Sequence, residues 1–141
     1  MLRAVVDPGV LIAALLSKEG APAKVLLAWL EGRFHLLVSP ALLAELETVL
    51  RRRKFRPYVN EEEASAYVGL FRNFGLFVHD PAHVERSTPD PGDDYLVALV
   101  RAGEADVLVS GDPHLTRLRR FQTLVVTPRA FLTRLGGQRG V

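Results

Sequence analysis

Short apolar runs bounded by turn residues alternate along this chain with longer segments in which apolar residues recur every three or four positions. The runs at 4–6, 34–38, 76–78, 105–109 and 124–126 are dominated by Val, Leu and Phe and read as strands, that at 105–109 as a buried one. The longer segments read as helices with start and stop signals. Pro8 opens one over residues 10–16, and residues 22–30 form a second that stops at Gly32. Ser39-Pro40 is a capping hydroxyl followed by proline at the first helical position. The stripe Leu43, Leu46, Val49, Leu50 then continues that helix. Three glutamates from Glu61 begin a helix that runs through Tyr67, Leu70 and Phe74 to Gly75. Residues 95–100 form a helix closed by Gly103, residues 115–118 a short one, and Pro128 opens a last helix over 129–135. Residues 79–88 are polar loop. Strands alternating with helices predict one α/β domain with a mostly parallel sheet over residues 1–135, followed by a flexible tail at 136–141.

Composition narrows the class. The chain has 141 residues, enough for one domain with a real core and too few for two. No cysteine is present, which excludes a disulfide framework, a thiolate zinc site and a cysteine nucleophile. No run is long enough to span a bilayer and the first residues are too short for a signal peptide, so the expected location is cytoplasmic. The formal charge is only +2, yet 15 of the 18 basic residues are arginine. Arginine forks match phosphate oxygens, which keeps nucleic acid open as a partner, although surface arginine is also common without a function.

The chemistry is concentrated between residues 89 and 112. Asp93 and Asp94 stand where Pro91-Gly92 turns into an apolar helix, and Asp112 follows the strand that comes after it. Asp7 ends the first strand, and Glu45 lies in the second turn of the helix after strand two. In open α/β sheets, ligands bind outside the carboxyl ends of the strands. Carboxylates gathered there repel one another unless a cation neutralises them, and hard cations such as Mg²⁺ or Mn²⁺ prefer oxygen ligands. Metal-assisted phosphodiester hydrolysis is the reaction class that fits. Each acid also has a plainer role open to it: a turn residue for Asp7 and Asp112, a helix cap for Asp93 and Asp94, a solvated side chain for Glu45. The run Arg51, Arg52, Arg53, Lys54, with Arg56 beyond it, either complements a helix dipole or offers a phosphate-binding rim.

Other chemistries fit poorly. There is no Gly-x-x-x-x-Gly-Lys loop, and the lysines Lys18, Lys24 and Lys54 all lie too early for a receiver-type phospho-aspartate site. A phosphatase with paired early aspartates would need an acid where Gly9 stands. His79 and His83 have helical spacing, but Pro81 between them argues against a zinc-binding helix.

Taken together, these motifs resemble a family. Val5-Val6-Asp7 followed by residues 10–15 resembles the opening of PIN-domain nucleases, and Ser39-Pro40 with Glu45 resembles their second motif. The stretches 90–96 and 105–112 resemble the third and fourth, and 126–132 resembles the usual ending. The likeness covers nearly the whole chain and is nearest to the VapC-like toxin components of toxin–antitoxin pairs. It implies a three-layer α/β/α sandwich and a Mg²⁺- or Mn²⁺-dependent endoribonuclease. It implies Asp7, Glu45, Asp94 and Asp112 as the catalytic acids, with Asp7, Asp94 and Asp112 holding metal and Asp93 or Asp90 auxiliary. It further implies a cognate antitoxin and a homodimer, with residues 21–31 or 61–74 as contact surfaces; with RNA as substrate, the phosphate-binding reading of the basic run makes Arg51, Arg52, Arg53 and Arg56 its candidate RNA contacts. One departure stands out. The family carries threonine and then asparagine or serine after its first aspartate, whereas Pro8 and Gly9 stand here. That leaves open a weakened PIN-like module that only binds RNA or protein. A DNA-directed or structure-specific nuclease is also open, because the same pocket could serve one.

Overall fold

In a computed structural model, which describes residues 1–84, 91–116 and 124–139, the first strand lies at the centre. Strand β1 (Arg3–Val6) pairs on one side with β2 (His35–Val38) and on the other with β4 (Val107–Val109). Strand β3 (Leu76–Phe77) extends the sheet beyond β2, and β5 (Leu124–Val126) extends it beyond β4. The order is β3-β2-β1-β4-β5 and every pairing is parallel. Ala4, Val5, Leu37, Val38, Leu108 and Val109 have no exposed surface, as expected for strands covered on both faces.

The connecting helices are α1 (Pro8–Leu16), α2 (Ala21–Leu30), α3 (Pro40–Leu50), α4 (Glu61–Phe74), α5 (Asp94–Ala102), α6 (Pro113–Thr116) and α7 (Pro128–Arg139). Strand order runs outward from β1 in one direction and then, through α5, crosses back to β4 on the other side. Right-handed crossovers therefore put the two sets of helices on opposite faces, giving an α/β/α sandwich. Phe71 of α4 lies at the heart of one face, stacked on Trp29 of α2 at 5.1 Å and edge-on to Tyr67 at 4.8 Å. Phe131 anchors α7 through an edge contact with Phe34 at 4.9 Å.

The caps follow the expected chemistry with one exception. Ser39 Oγ accepts the Leu42 N–H at the start of α3, and Asn60 and Glu63 form a reciprocal capping box on α4. Gly32 ends α2 with φ of +76°, a conformation glycine adopts without penalty. At the end of α5 the left-handed residue is Glu104, with φ of 50°, and not Gly103. The Glu104 N–H donates to the Arg101 carbonyl and the Ala105 N–H to that of Val100, the double bond of a Schellman turn. Gly103 is needed for space: a Cβ there would stand 2.7 Å from Leu37 Cδ1. Glu104→Gly relieves the left-handed strain and raises unfolding free energy by about 0.5–1 kcal/mol, read from urea denaturation.

Several ends differ from the sequence expectation by a residue or two: α1 starts at Pro8, β2 at His35 and α6 at Pro113, and β3 ends at Phe77, while two further ends have a visible cause. Strand β4 begins at Val107, but residues 105–106 are already tied to the sheet margin: the Asp106 N–H donates to the Arg3 carbonyl and the Arg3 N–H to Asp106 Oδ2. Helix α7 continues to Arg139, through Gly136 and Gly137. The turns anchored by buried Phe131 and Leu135 nucleate it, and each added residue then costs little.

Candidate active site

The strand order reverses between β1 and β4, and at such a switch point the loops leaving the two strands diverge and open a crevice. Asp7 stands there because β1 ends at Val6 and Asp7 caps α1. Its Oδ1 accepts the Gly9 N–H at 2.9 Å, and its own N–H donates to the Val109 carbonyl at 2.9 Å, prolonging the β1–β4 ladder. Across the crevice, the Ser110 hydroxyl donates to Asp7 Oδ2 at 2.8 Å and accepts the Asp112 N–H at 3.0 Å. Asp112 folds its Oδ1 onto the His114 N–H at 2.9 Å, and its carbonyl takes the first turn of α6. A single buried hydroxyl thus holds the first and last acids in one frame.

Asp94 is the first residue of α5 and is only 4% exposed, the one buried acid among the described residues. Asp93 precedes it at the cap position, half-buried. Glu45 projects from the second turn of α3 and is exposed. Helix α5 packs on β1 and on α3. Tyr95 reports the proximity of the acids. Its phenol is pushed well above the ordinary tyrosine value, first by burial and then by the negative charges of Asp7, Glu45 and Asp93. One ring therefore feels acids from β1, from α3 and from the turn before α5. Asp90 lies outside the described residues.

Whether such a set suits a divalent ion is a question of donors. All the candidates are carboxylate oxygens, the type that Mg²⁺ and Mn²⁺ prefer, and like charges this near one another favour a cation between them. Among the described residues no group of three acids or histidines forms a ready metal cage. Mg²⁺ needs none, since it is ordinarily held by one or two carboxylates and keeps its waters.

The arginine run divides in two. Arg51 is tied down: its guanidinium pairs with Glu47 at 3.1 Å and donates to Ser65 Oγ at 3.0 Å. Arg52, Arg53 and Arg56 are exposed and make no ion pair among the described residues. By helical rise Arg51 stands about 9 Å along α3 from Glu45.

Two residues of the site escaped the sequence reading. Ser110 has no exposed surface, and its signal was position: a hydroxyl at a strand end, two residues before an acid. Asp80, assigned to a polar loop, has its Oδ2 on the Ala41 N–H at 2.8 Å and fixes the start of the helix that carries Glu45. Ser110→Ala strands a carboxylate oxygen and an amide at once. It lowers unfolding free energy by about 1–3 kcal/mol in urea melts, and Ser110→Thr, which keeps the hydroxyl, loses less.

A doubly wound parallel sheet with acids assembled at its switch point defines a class of acid-centred α/β domains. The model of the PIN domain family matches residues 3–114, and the chain belongs to that family, whose members are generally nucleases. Among solved structures the chain is similar to PAE2754 from Pyrobaculum aerophilum, with 19% identity and a TM-score of 0.63. That match covers 96% of this chain and 90% of the other. It is also similar to a chain of VapBC2 from Rickettsia felis bound to a DNA fragment from their promoter. There the identity is 13% and the TM-score 0.59, covering 89% of this chain and 97% of that one. At such identities the likeness concerns the fold. No curated protein sequence matches the chain.

Proposed function

We propose that this PIN domain is a Mg²⁺- or Mn²⁺-dependent endoribonuclease and the toxin of a toxin–antitoxin pair. The observation that carries the chemistry is the frame at the β1–β4 crevice, in which Ser110 links Asp7 to Asp112. Asp7, Asp94 and Asp112 would hold the metal directly or through water, and Glu45, exposed on α3, would hold metal or position the attacking water. When bound, the ion supplies Lewis acidity and a water more easily deprotonated. Asp7 is fixed by two donors, so its carboxylate does not reorient when a phosphodiester arrives. Arg52 and Arg53 supply charge for the RNA backbone, and Arg51 and Arg56 extend the same basic run toward the RNA.

The toxin role is supported by the fold shared with a chain of VapBC2. A cognate antitoxin follows from that role, and a cytoplasmic location suits it. Among the described residues no helix is long and apolar enough to cross a membrane. A homodimer is supported by the exposed Leu27 and Leu30 of α2 and Phe74 of α4, which leave apolar surface on both helices named for it.

Pro8 and Gly9 favour a second reading, a PIN domain that binds but cuts slowly. Pro8 serves as the first residue of α1, and the Gly9 N–H does service on Asp7 that needs no side chain. Both positions therefore support the acid without adding polar groups of their own. Cleavage assays on RNA and DNA panels with Mg²⁺, Mn²⁺ or EDTA decide between the readings. RNA cut only with metal is expected. RNA bound but never cut supports the binding module, and DNA cut in preference supports a different nuclease.

A further inference from the structure

We propose that the pocket at the end of α3 is a subsite for an unpaired nucleobase of the RNA strand, an assignment that rests on the ribonuclease reading above. The pocket has a volume of about 460 Å³ and lies between the last turn of α3 and the first of α4. Its floor is apolar: Leu50, Val59 and Ala64 are each at most 5% exposed. Arg51 and Arg56 line it as well. The pairing of Arg51 with Glu47 and Ser65 braces its guanidinium plane, and a braced plane stacks on a base with little loss of freedom. Arg56 is exposed and makes no ion pair among the described residues.

The remaining lining separates a base from a phosphate. Glu61 lines the pocket as well, and a carboxylate at its wall repels phosphate but accepts from base N–H groups. Asn60 spends its Oδ1 on the Glu63 N–H, which leaves its amide N–H₂ to donate to a base edge. Outside the pocket, Arg52, Arg53 and Lys54 offer three exposed cations for the backbone on either side. Tyr58, 71% exposed, adds a ring beside them. Unpaired bases are recognised in this way, by stacking on aromatic or guanidinium planes with polar groups at their edges. Along the axis of α3 the pocket's Arg51 stands about 9 Å beyond Glu45, so a strand reaching both spans at least about two to three nucleotides at the 3.4 Å rise of a stacked strand.

The test is the affinity of the full chain for a short single-stranded RNA and for an abasic strand with the same phosphates, by fluorescence anisotropy in EDTA. The wild-type protein should prefer the intact strand about tenfold. Ala64→Leu, which fills the floor, should bind both strands alike. Should that variant fail to fold, Arg56→Ala, at an exposed position, should narrow the preference instead. Equal wild-type affinities, or a preference that survives these changes, overturn the assignment. A pocket reserved for a partner peptide would give that second result. Because binding is read without metal, a protein that never cuts RNA can still show the preference. One that cuts without any base preference refutes the pocket alone.

Discussion

Replacing Asp7 with asparagine lowers metal-dependent RNA cleavage by about 10²–10³-fold, the size expected for losing one fixed electrostatic group of a site, and leaves thermal stability unchanged or higher. Both halves follow from the geometry. Asparagine keeps an oxygen for the Gly9 N–H, so α1 stays capped, and its amide can donate to Ser110 Oγ where the acid had accepted. What disappears is a negative charge near Glu45 and Asp93, whose mutual repulsion the folded state otherwise bears. Asp94→Asn, at the buried head of α5, gives the same loss of rate. Asp7→Asn protein that cuts RNA within a few-fold of the wild-type rate, by a metal-dependent route, would remove the basis of the proposed function. A variant that melts early would show instead that Asp7 is chiefly a cap.

Phe71→Ala destabilises the domain by about 3–5 kcal/mol, against a total of about 5–15 kcal/mol for an ordinary domain. The ring has no exposed surface and touches aromatic partners on two sides, so a cavity forms that neither Trp29 nor Tyr67 can fill without losing its own contacts. The melting temperature falls by about 10 °C or more. The loss reaches the site as well. Tyr67 packs edge-on to Phe71, and its hydroxyl donates to the Leu11 carbonyl of α1, the helix that Asp7 caps. A shift below about 1 kcal/mol in urea denaturation would mean that the aromatic cluster is not the keystone of this face.

Elements with strong local signals could be read directly from the chain. Ser39-Pro40 starts α3 as its chemistry requires, and the apolar runs become the five strands, the central β1, β2 and β4 being largely buried and the edge strand β3 exposed. Gly103 shows a right boundary reached for a different reason. Gly103 was expected to close the helix, and it does so by making room for Leu37 while Glu104 takes the left-handed turn. Long-range partnerships were the part that could not be read. Nothing near Ser110 announces that its hydroxyl reaches Asp7, and nothing near Asp80 announces the Ala41 amide, because both bonds depend on strand order. The acids themselves were visible as residues at the ends of elements. Their approach to one another is a property of the sheet.

The bond between Ser110 and Asp7 joins residues 103 positions apart, and β1 cannot take its central place until β4 exists to flank it. On a ribosome, Asp7 therefore emerges about 5–20 s before its partner at ordinary rates of synthesis. Such non-local closure also makes folding slow. A nascent chain shortened ahead of β4 carries the first acid and lacks the frame that orients it. On the proposed ribonuclease function, truncated translation products should accordingly leave the transcripts around them intact, and competence should arrive only when the polypeptide is nearly complete.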